Sequence, residues 1–353
     1  MKTFYILNHG NKKAGSMNHF EDYLLRRKYN VFRLTHPLDD YTANETQFFI
    51  DKELVWSKKR KPKRTLNYFE DFFQSVRHII SRKFDVFIGA NSFDMLPALF
   101  VRLLGKSGKI VFFGSDFSED RFESKILNIL YILVERISVK WSDVVISNTY
   151  RAERARLRLG MDKSKSVVIP NGIFLKNKIF LPKRIYKDQF IYVGSVTREH
   201  GLFEMVQALS PLMNKLVIIG QGLEWEAVIE LCKSKGVDCE AHFRKDHDFV
   251  MEYLRNFQGF GLAPYNVSQK WTYYCSPTKI GEYVASGVPV IVSNVPELSS
   301  VVKDRNLGIV YDQIDYNYLK NEIDNFLTDN YFSKAEEFYK DFERDRLYGK
   351  LDF

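Results

Sequence analysis

The chain has 353 residues, of which 45% are hydrophobic and 15% aromatic, which excludes a disordered chain and allows two domains with sizeable cores. The 52 Lys and Arg residues outnumber the 44 Asp and Glu residues, and the formal charge of +8 suits a phosphorylated substrate, anionic lipid or nucleic acid. The three cysteines, Cys232, Cys239 and Cys275, match neither a disulfide framework nor a zinc pattern, and indicate reduced thiols in a cytosolic protein.

No segment has the pattern of a signal peptide or a membrane span. The apolar run after Met1 is too short for a signal peptide, and charged residues follow it at once. The longest apolar stretch, residues 126–141, is interrupted by Glu135, Arg136 and Lys140 and falls short of the roughly 20 apolar residues that cross a bilayer. We therefore expect a cytoplasmic protein whose membrane contact is peripheral, on the inner face of the cell membrane.

The first half of the chain alternates short apolar strands with amphipathic helices. Predicted strands cover residues 3–7, 31–34, 86–89, 109–113, 144–146 and 167–169. Predicted helices cover residues 20–28, 68–81, 97–104 and 124–141. This alternation favours right-handed crossovers and a mainly parallel sheet.

The alternation starts again after a Lys-rich segment without clear periodicity. Predicted strands cover residues 190–193, 216–219, 260–263 and 288–292, and predicted helices cover residues 203–210, 224–235, 248–257 and 278–286. We predict an α/β fold with two doubly wound domains, at residues 1–172 and 190–332, a linker at 173–189 and a helical tail at 333–353. Ligands of open α/β sheets bind at the carboxyl ends of the strands, so two facing sheets would form a cleft for two substrates.

Residues 275–299, CSPTKIGEYVASGVPVIVSNVPELS, carry the most chemical information. Ser276 and Pro277 predict the start of a helix, as its N-cap and its first residue. Lys279 adds a full positive charge to a helix N-terminus that already favours anions. Glu282 lies on nearly the same helix face, where it could accept hydrogen bonds from ribose hydroxyls. Solvated side chains on an ordinary helix–strand unit are the alternative.

Together with four other segments in the same order, this string resembles the C-terminal domain of GT-B glycosyltransferases, above all the group 1 (GT4-type) family. The other segments are VIPNG at 168–172, IYVGSVTREHG at 191–201, LVIIGQG at 216–222 and GLAPY at 261–265. The resemblance implies a GT-B fold of two Rossmann-like domains facing a cleft, with the C-terminal helix returning to the first domain. It also implies transfer of a sugar, of the hexosyltransferase type, from a nucleotide-sugar with UDP favoured. The acceptor would be a hydroxyl of a sugar or lipid-linked oligosaccharide, in polysaccharide or glycolipid assembly.

The resemblance gives donor-binding roles to residues of the second domain. Lys279 would contact the donor diphosphate, and Glu282 would hold the ribose. Gly194 and Ser195 would bring backbone N–H groups to phosphate oxygens. The wall beside the nucleotide base would be shaped by two further glycines, Gly220 and Gly222.

Three positions depart from the family pattern. Tyr274 stands where many relatives have the first of two glutamates separated by seven residues. Ser195 and His200 stand where many relatives have an Arg and a Lys beside the phosphates. Arg198 or Lys279 is expected to supply the missing positive charge. These departures leave retaining or inverting stereochemistry open.

Polar residues after the strands of the first domain are candidates for catalysis and acceptor binding. Asp116 and Asp120 follow a predicted strand in FFGSDFSEDRF, and a carboxylate there could deprotonate an acceptor hydroxyl in an inverting transfer. Asp116 is preferred, and the alternatives for both are a hydrogen bond to the acceptor and capping of the next helix. Candidate acceptor-binding residues follow the other strands, with a structural role as the alternative for the histidine: His9, Gly10, Gly15 and Asp94.

The run KKRKPKR begins at Lys58 and ends at Arg64. It indicates either a solvated loop or, with the aromatic residues around it, docking on anionic lipid. No recognised nucleic-acid fold accompanies it, so we do not expect a nucleic-acid partner. We assign no metal site to an Asp-x-Asp motif and expect a metal-independent reaction without a cofactor, with Lys279 and helix N-termini stabilising the leaving diphosphate.

Two other functions stay open. Sugar-nucleotide 2-epimerases share this architecture and would act without an acceptor. A non-catalytic basic module that binds nucleic acid or a membrane would show salt-sensitive binding and no donor binding.

Overall fold

A computed structural model describes residues 1–10, 16–37, 45–59, 64–106, 108–175, 182–266 and 270–353. The chain divides into two units, each with its own sheet. Unit 1 comprises Met1–Pro170 and Tyr348–Phe353, and unit 2 comprises Asn171–Leu347. Among the described residues, no helix combines the length and the apolar character needed to cross a bilayer.

The elements of unit 1 follow one another in the predicted strand–helix alternation. They are β1 (Thr3–His9), α1 (Ser16–Arg26), β2 (Asn30–His36), β3 (Glu45–Ile50), β4 (Glu53–Lys59), α2 (Arg64–Ile80), β5 (Val86–Gly89), α3 (Ser92–Leu103), β6 (Lys109–Gly114), α4 (Lys125–Trp141), β7 (Val144–Ser147), α5 (Tyr150–Arg158) and β8 (Ser166–Val168).

The sheet of unit 1 has the strand order β4-β3-β2-β1-β5-β6-β7-β8. All pairs are parallel except β2–β3 and β3–β4, which are antiparallel. Four consecutive residues of β1, from Phe4 to Leu7, are fully buried, as expected for a strand covered on both faces. Because β1 pairs with β2 on one side and β5 on the other, the carboxyl ends of β1 and β5 form a topological switch point, where ligands of such sheets bind.

Helix α3 begins earlier than predicted. Asn91 is its N-cap and accepts a hydrogen bond from the Asp94 backbone N–H at 3.1 Å. Pro97, which we predicted as the first helical residue, lies inside the helix instead. The side-chain cap therefore sets the start of this helix, and the proline is tolerated within it.

Unit 2 repeats the alternation. Its elements are β9 (Gln189–Ser195), α6 (Leu202–Leu209), β10 (Lys215–Gln221), α7 (Trp225–Ser234), β11 (Asp238–Phe243), α8 (His247–Asn256), β12 (Phe260–Ala263), α9 (Lys270–Tyr274), α10 (Thr278–Ala285), β13 (Val290–Ser293), α11 (Leu298–Asp304), β14 (Gly308–Tyr311), α12 (Tyr316–Asp324), α13 (Tyr331–Phe342) and α14 (Arg344–Tyr348).

The sheet of unit 2 is parallel throughout its described strands, in the order β11-β10-β9-β12-β13-β14. Alternate residues of one strand enter opposite cores: Phe190 and Tyr192 pack into one, and Ile191 into the other. This confirms the predicted second doubly wound domain. Its switch point lies at the carboxyl ends of β9 and β12.

The C-terminal tail differs from the single predicted helix. It forms α13 and α14, and α13 packs against α10 within unit 2. Only the final residues return to unit 1, where the Tyr348 ring lies 4.9 Å from that of Phe20 and the Phe353 ring 5.4 Å from that of Phe4. The predicted linker likewise begins inside unit 2, since the Ile173 N–H donates to the Phe342 carbonyl at 2.9 Å.

Candidate functional site

The carboxyl ends of β9 and β10 meet at a pair of glycines. Gly194 and Gly220 are register partners, and a Cβ on Gly220 would collide with the Gly194 carbonyl oxygen. Gly222 is equally constrained by the carbonyl oxygen of Val196. Gly194 also has a φ of +133°, a conformation that favours glycine. Side chains are therefore excluded at these positions, and backbone groups form this wall.

Lys279 reaches the glycine wall from the second residue of α10. A Cβ on Gly194 would lie 3.0 Å from the Lys279 ammonium nitrogen. That nitrogen is buried and has no hydrogen-bond partner in the part of the chain that the structure describes. It lies over the rings of Tyr192 and Tyr265, at 4.2 and 5.6 Å from their centroids. The two features on which the predicted diphosphate site depends are thus adjacent.

A buried ammonium group without hydrogen bonds is costly unless a counter-charge accompanies it. Burial lowers the pKa of Lys279 to about 7, an effect that the nearby Cys275 and Glu282 only partly oppose. A diphosphate would supply both acceptor oxygens and negative charge. The arrangement therefore favours an anionic ligand at the end of this side chain.

The first turn of α10 contributes to the same site. Pro277 is the N-cap, and no side chain caps the helix. The prediction of Ser276 as the N-cap was wrong, because its hydroxyl instead accepts a hydrogen bond from the Asn171 backbone N–H at 3.0 Å. A helix N-terminus without a side-chain cap directs backbone N–H groups and the positive end of its dipole toward an anion.

Tyr283 fixes α10 on the sheet. Its hydroxyl accepts a hydrogen bond from the Val193 backbone N–H at 2.7 Å and lies 3.3 Å from the Leu262 carbonyl oxygen. Gly261 makes room for the ring, since a Cβ there would lie 2.5 Å from it. The tyrosine of the predicted motif therefore has a structural role that orients Lys279.

Glu282 is paired with His247, a residue that was not predicted from the sequence. Its side chain is 13% exposed, and Oε1 lies 3.0 Å from His247 Nε2. The hydrogen bond to Glu282 raises the pKa of His247; burial opposes this effect and the Glu282 charge adds to it. The sequence feature that could have identified His247 is its position at the start of a helix, just after the carboxyl end of β11.

The other predicted donor residues have different surroundings. Ser195 is exposed, and its carbonyl accepts the Tyr192 hydroxyl at 2.5 Å. The Arg198 side chain is 71% exposed and pairs with Glu224 at 3.4 Å, so its guanidinium is directed to that carboxylate. Tyr274 is buried at the end of α9.

In unit 1 the structure brings His9 and Asp94 together. His9 Nδ1 hydrogen-bonds Asp94 Oδ1, and His9 Nε2 lies 3.3 Å from Asp71 Oδ2. The other oxygen of Asp71 lies 3.1 Å from His36 Nδ1, and His36 Nε2 lies 2.8 Å from the Ser75 hydroxyl. This His–Asp cluster lies at the carboxyl ends of β1 and β2 and is almost entirely buried.

Asp71 and His36 were not predicted from the sequence. The available signal was that a histidine ends β2 as His9 ends β1. Gly10, which was predicted together with His9, lies beside this cluster, since its N–H donates to the His36 carbonyl at 3.0 Å. The predicted Gly15 lies outside the described residues.

Asp116 and Asp120 are exposed in the segment after β6. Ser124 caps α4, with its hydroxyl 3.4 Å from the Leu127 backbone N–H, so the alternative of a cap role for the two aspartates was wrong. The buried guanidinium of Arg156 holds this segment by donating to the Asp116 carbonyl at 3.2 Å.

Comparison with known proteins gives two family matches that meet at residue 176. The model of glycosyltransferase family 4 matches residues 17–176, and the model of glycosyl transferases group 1 matches residues 176–344. A protein from the cps region of Klebsiella pneumoniae, itself uncharacterized, is 23% identical in an alignment 299 residues long that covers 78% of each chain.

Solved structures share the fold over nearly the whole chain. The apo lipopolysaccharide outer core galactosyltransferase WaaB has a TM-score of 0.73 at 14% identity and 98% coverage of both chains. Sucrose-phosphate synthase from Thermosynechococcus elongatus has a TM-score of 0.71 at 16% identity, over 98% of this chain and 96% of that one. Anabaena HepE in complex with UDP has a TM-score of 0.64 at 13% identity, over 99% and 98%. With both units matched by models of one enzyme class and the fold shared from end to end, the chain belongs to the group 1 (family 4) glycosyltransferases of the GT-B fold.

Proposed function

We propose that this enzyme transfers a hexosyl group from a UDP-sugar to a hydroxyl of a sugar or lipid-linked oligosaccharide, in the assembly of a polysaccharide or glycolipid. The observation that carries the proposal is the buried Lys279 ammonium group beside the Gly194 backbone, without a hydrogen-bond partner among the described residues. The choice of UDP is supported by the HepE complex, and the type of product by the WaaB and cps-region relatives.

The donor diphosphate would lie between the glycine wall and the N-terminus of α10. Lys279 and the backbone N–H groups of Gly194 and Ser195 would bind its oxygens. Glu282 would accept hydrogen bonds from the ribose hydroxyls, held in place by His247. We propose that four further predicted residues complete the donor site around this centre: Arg198, Gly220, Gly222 and Tyr274.

When the bond between the anomeric carbon and the diphosphate breaks, its electron pair moves to the phosphate oxygen. A protonated Lys279 and the α10 dipole would stabilise the charge that develops there. These groups would stabilise the leaving diphosphate in place of a divalent cation, so we propose a metal-independent reaction.

The acceptor hydroxyl must lose its proton during transfer. We propose that the His–Asp cluster binds the acceptor through His9, Gly10 and Asp94, and we keep Gly15, outside the described residues, as a further acceptor-binding candidate. For an inverting transfer the base would be Asp116, with Asp120 as the second candidate. Replacement of Asp116 by Asn should then lower kcat more than the affinity for donor, and an unchanged kcat would remove it as the base.

We extend the proposal to the inner face of the cell membrane, through the run from Lys58 to Arg64, of which residues 60–63 lie outside the described part of the chain. Lys58 is 55% exposed at the side chain and pairs with Glu70 at 2.8 Å. Phe69 and Phe73 of the adjoining α2 are 68% and 67% exposed. Basic and aromatic groups of this kind suit an anionic lipid surface.

Binding of uridine nucleotides tests the donor site directly. Titration calorimetry should show UDP binding at least about tenfold more tightly than UMP, since only UDP places a second phosphate beside Lys279. Equal affinities for UDP and UMP would contradict the diphosphate site. A panel of UDP-sugars, assayed with and without acceptor and with EDTA, then tests the reaction: conversion without acceptor would indicate an epimerase, and complete loss with EDTA would contradict metal independence.

A further inference from the structure

A cavity of about 780 Å³ lies within unit 2, at the edge of the sheet opposite to the candidate donor site. Gln189 and Lys215, the first residues of β9 and β10, line it together with Gln258, which precedes β12. These residues lie at the amino ends of their strands, whereas Gly194 and Gly220 of the donor site lie at the carboxyl ends. The size of the cavity falls in the range of roughly 300–1,000 Å³ that is typical of small-ligand sites.

Aromatic rings make up much of the cavity wall. Four of the nine described residues that line it are aromatic, and Phe249 and Tyr253 lie four residues apart on the same face of α8. Phe257 follows just after the helix and is buried, and the half-buried Tyr186 lies in the segment before β9. Such rings favour a ligand with apolar faces that can pack flat against them.

Contacts with β11 hold this wall in place before a ligand binds. The Tyr253 hydroxyl donates a hydrogen bond to Glu240 Oε1 at 2.6 Å. The His242 ring lies 5.1 Å from the Phe249 ring and 5.3 Å from the Tyr253 ring. Both rings of α8 are therefore fixed in orientation, and a ligand that packs on them loses little free energy to their ordering.

The described lining offers no net positive charge. Lys215 Nζ lies 2.6 Å from Glu240 Oε2, which pairs its charge. Burial alone would raise the pKa of the Glu240 carboxyl, but the hydrogen bonds that it accepts, first of all from Lys215, lower it to about 2, so the carboxylate is charged at neutral pH. Among the described residues, the other charged side chain in the lining is the exposed Glu252. A phosphate or carboxylate group of a ligand would therefore meet a repelling carboxylate here.

Side-chain amides supply the polar groups of the cavity. Those of Gln189, Asn256 and Gln258 line it, and each amide can both donate and accept hydrogen bonds. Asn256 Nδ2 donates to the Glu252 carbonyl at 3.1 Å, which fixes the direction of its side-chain oxygen. Amides beside aromatic rings suit a molecule that combines neighbouring hydroxyl groups with apolar C–H faces, and a neutral pyranose sugar has both features.

We propose that this cavity is a second saccharide site, which binds a neutral stretch of a glycan chain apart from the site of transfer. Sugar C–H faces would pack on the rings of Tyr186 and Phe249, and hydroxyl groups would hydrogen-bond the amides and Glu252. A chain held at a second site stays close to the enzyme after each transfer, which raises its effective concentration. The proposal goes beyond the transfer reaction and stands on the lining of the cavity, so it does not depend on the assignment of the donor site.

Saturation-transfer NMR tests the site with three neutral hexasaccharides, which are maltohexaose, cellohexaose and mannohexaose. At least one of them should bind the wild-type chain. The double substitution Tyr186→Ala with Gln258→Ala should weaken that binding at least about fivefold, because it removes a packing ring and an amide. Tyr150→Ala, at a position of unit 1 that is 58% exposed, is the matched control and should bind as the wild type does. Binding of none of the three by the wild type would overturn the proposal.

UDP separates this test from that of the donor site. Saturating UDP should leave hexasaccharide binding unchanged, and the Tyr186 and Gln258 variant should keep the wild-type unfolding temperature and UDP affinity. Failure of UDP to bind either chain would count against the donor site alone. Displacement of the hexasaccharide by UDP, or wild-type hexasaccharide binding by the variant, would place the sugar elsewhere and overturn the proposal. Binding of hexagalacturonate that the variant loses would contradict a neutral ligand.

Discussion

Replacement of Lys279 by methionine should stabilise the free enzyme while abolishing its response to UDP. Methionine is unbranched like lysine, only one atom shorter, and can contact the rings of Tyr192 and Tyr265, but it removes the charge. Most substitutions destabilise a protein. A gain of stability together with a loss of ligand response would therefore identify a cation that is held in place for a ligand.

The pKa of Lys279 sets the size of the effect. A fall from 10.5 to about 7 corresponds to a penalty of about 5 kcal/mol in the folded state, at ~1.36 kcal/mol per pKa unit. The cation–π contacts are lost with the charge, so we expect a net gain of about 2 kcal/mol, or roughly 4–8 °C in the unfolding temperature of a unit of this size.

The pH dependence has a definite sign. Between pH 7 and 10.5 the unfolded chain holds the Lys279 proton and the folded chain does not, so this group makes folding more favourable as the pH rises. The penalty is complete at and below about pH 7 and disappears near pH 10.5. The gain in stability of the variant over the wild type should therefore be largest at pH 6.5 and smallest at pH 9.5.

Thermal unfolding at both pH values, with and without UDP, measures all of these effects. Lys303→Met removes an exposed lysine from α11 and serves as the matched control, with little change expected under any condition. A Lys279→Met variant that is less stable than the wild type at pH 6.5 and still stabilised by UDP would refute the reasoning.

Three further substitutions test the surroundings of Lys279. Glu282→Gln should weaken UDP binding about tenfold or more, since hydrogen bonds to a charged group are lost, and calorimetry that finds wild-type affinity would remove its ribose role. His247→Gln should cost less than about 1 kcal/mol of stability, because the side chain is 54% exposed and solvent screens the pair. Because the pKa of His247 is raised, this loss should be present below about pH 6.5 and fade as the pH rises through the folded pKa; a loss that is constant from pH 5 to 9 would exclude the ion pair. Tyr283→Phe should cost about 1–3 kcal/mol in thermal unfolding, because the Val193 N–H loses its partner, and an unchanged unfolding temperature would contradict this role.

The buried strands could be predicted from the sequence, and the edge strands could not. Val86–Gly89 and Phe260–Ala263 were predicted with the observed bounds because each is a continuous apolar run. The edge strand Asp238–Phe243 was missed because its apolar residues alternate with polar ones and form no continuous run. The β3–β4 hairpin was missed as well, because its turn uses Asp51 and Lys52 at φ of +47° and +71°, where the usual Asn-Gly signal is absent.

The residues of the candidate site also divide into those that could be predicted from the sequence and those that could not. Lys279 and Glu282 could be predicted because they share one short helical motif with a recognisable pattern. The His–Asp cluster could not be predicted as a unit, because Asp71 and Asp94 lie 62 and 85 residues from His9 in the sequence. Such pairs meet through the topology of the sheet, and no local periodicity encodes them.

The way Tyr283 joins α10 to β9 and β12 has a consequence for turnover. A binding site that is rigid before its ligand arrives needs little reorganisation, so nucleotide binding has a low entropic cost. The UDP product, however, carries the same two phosphates as the donor, so a preorganised site binds the phosphates of both equally well. Product inhibition by UDP, with its departure limiting the steady-state rate, is the kinetic behaviour to be expected from such a design.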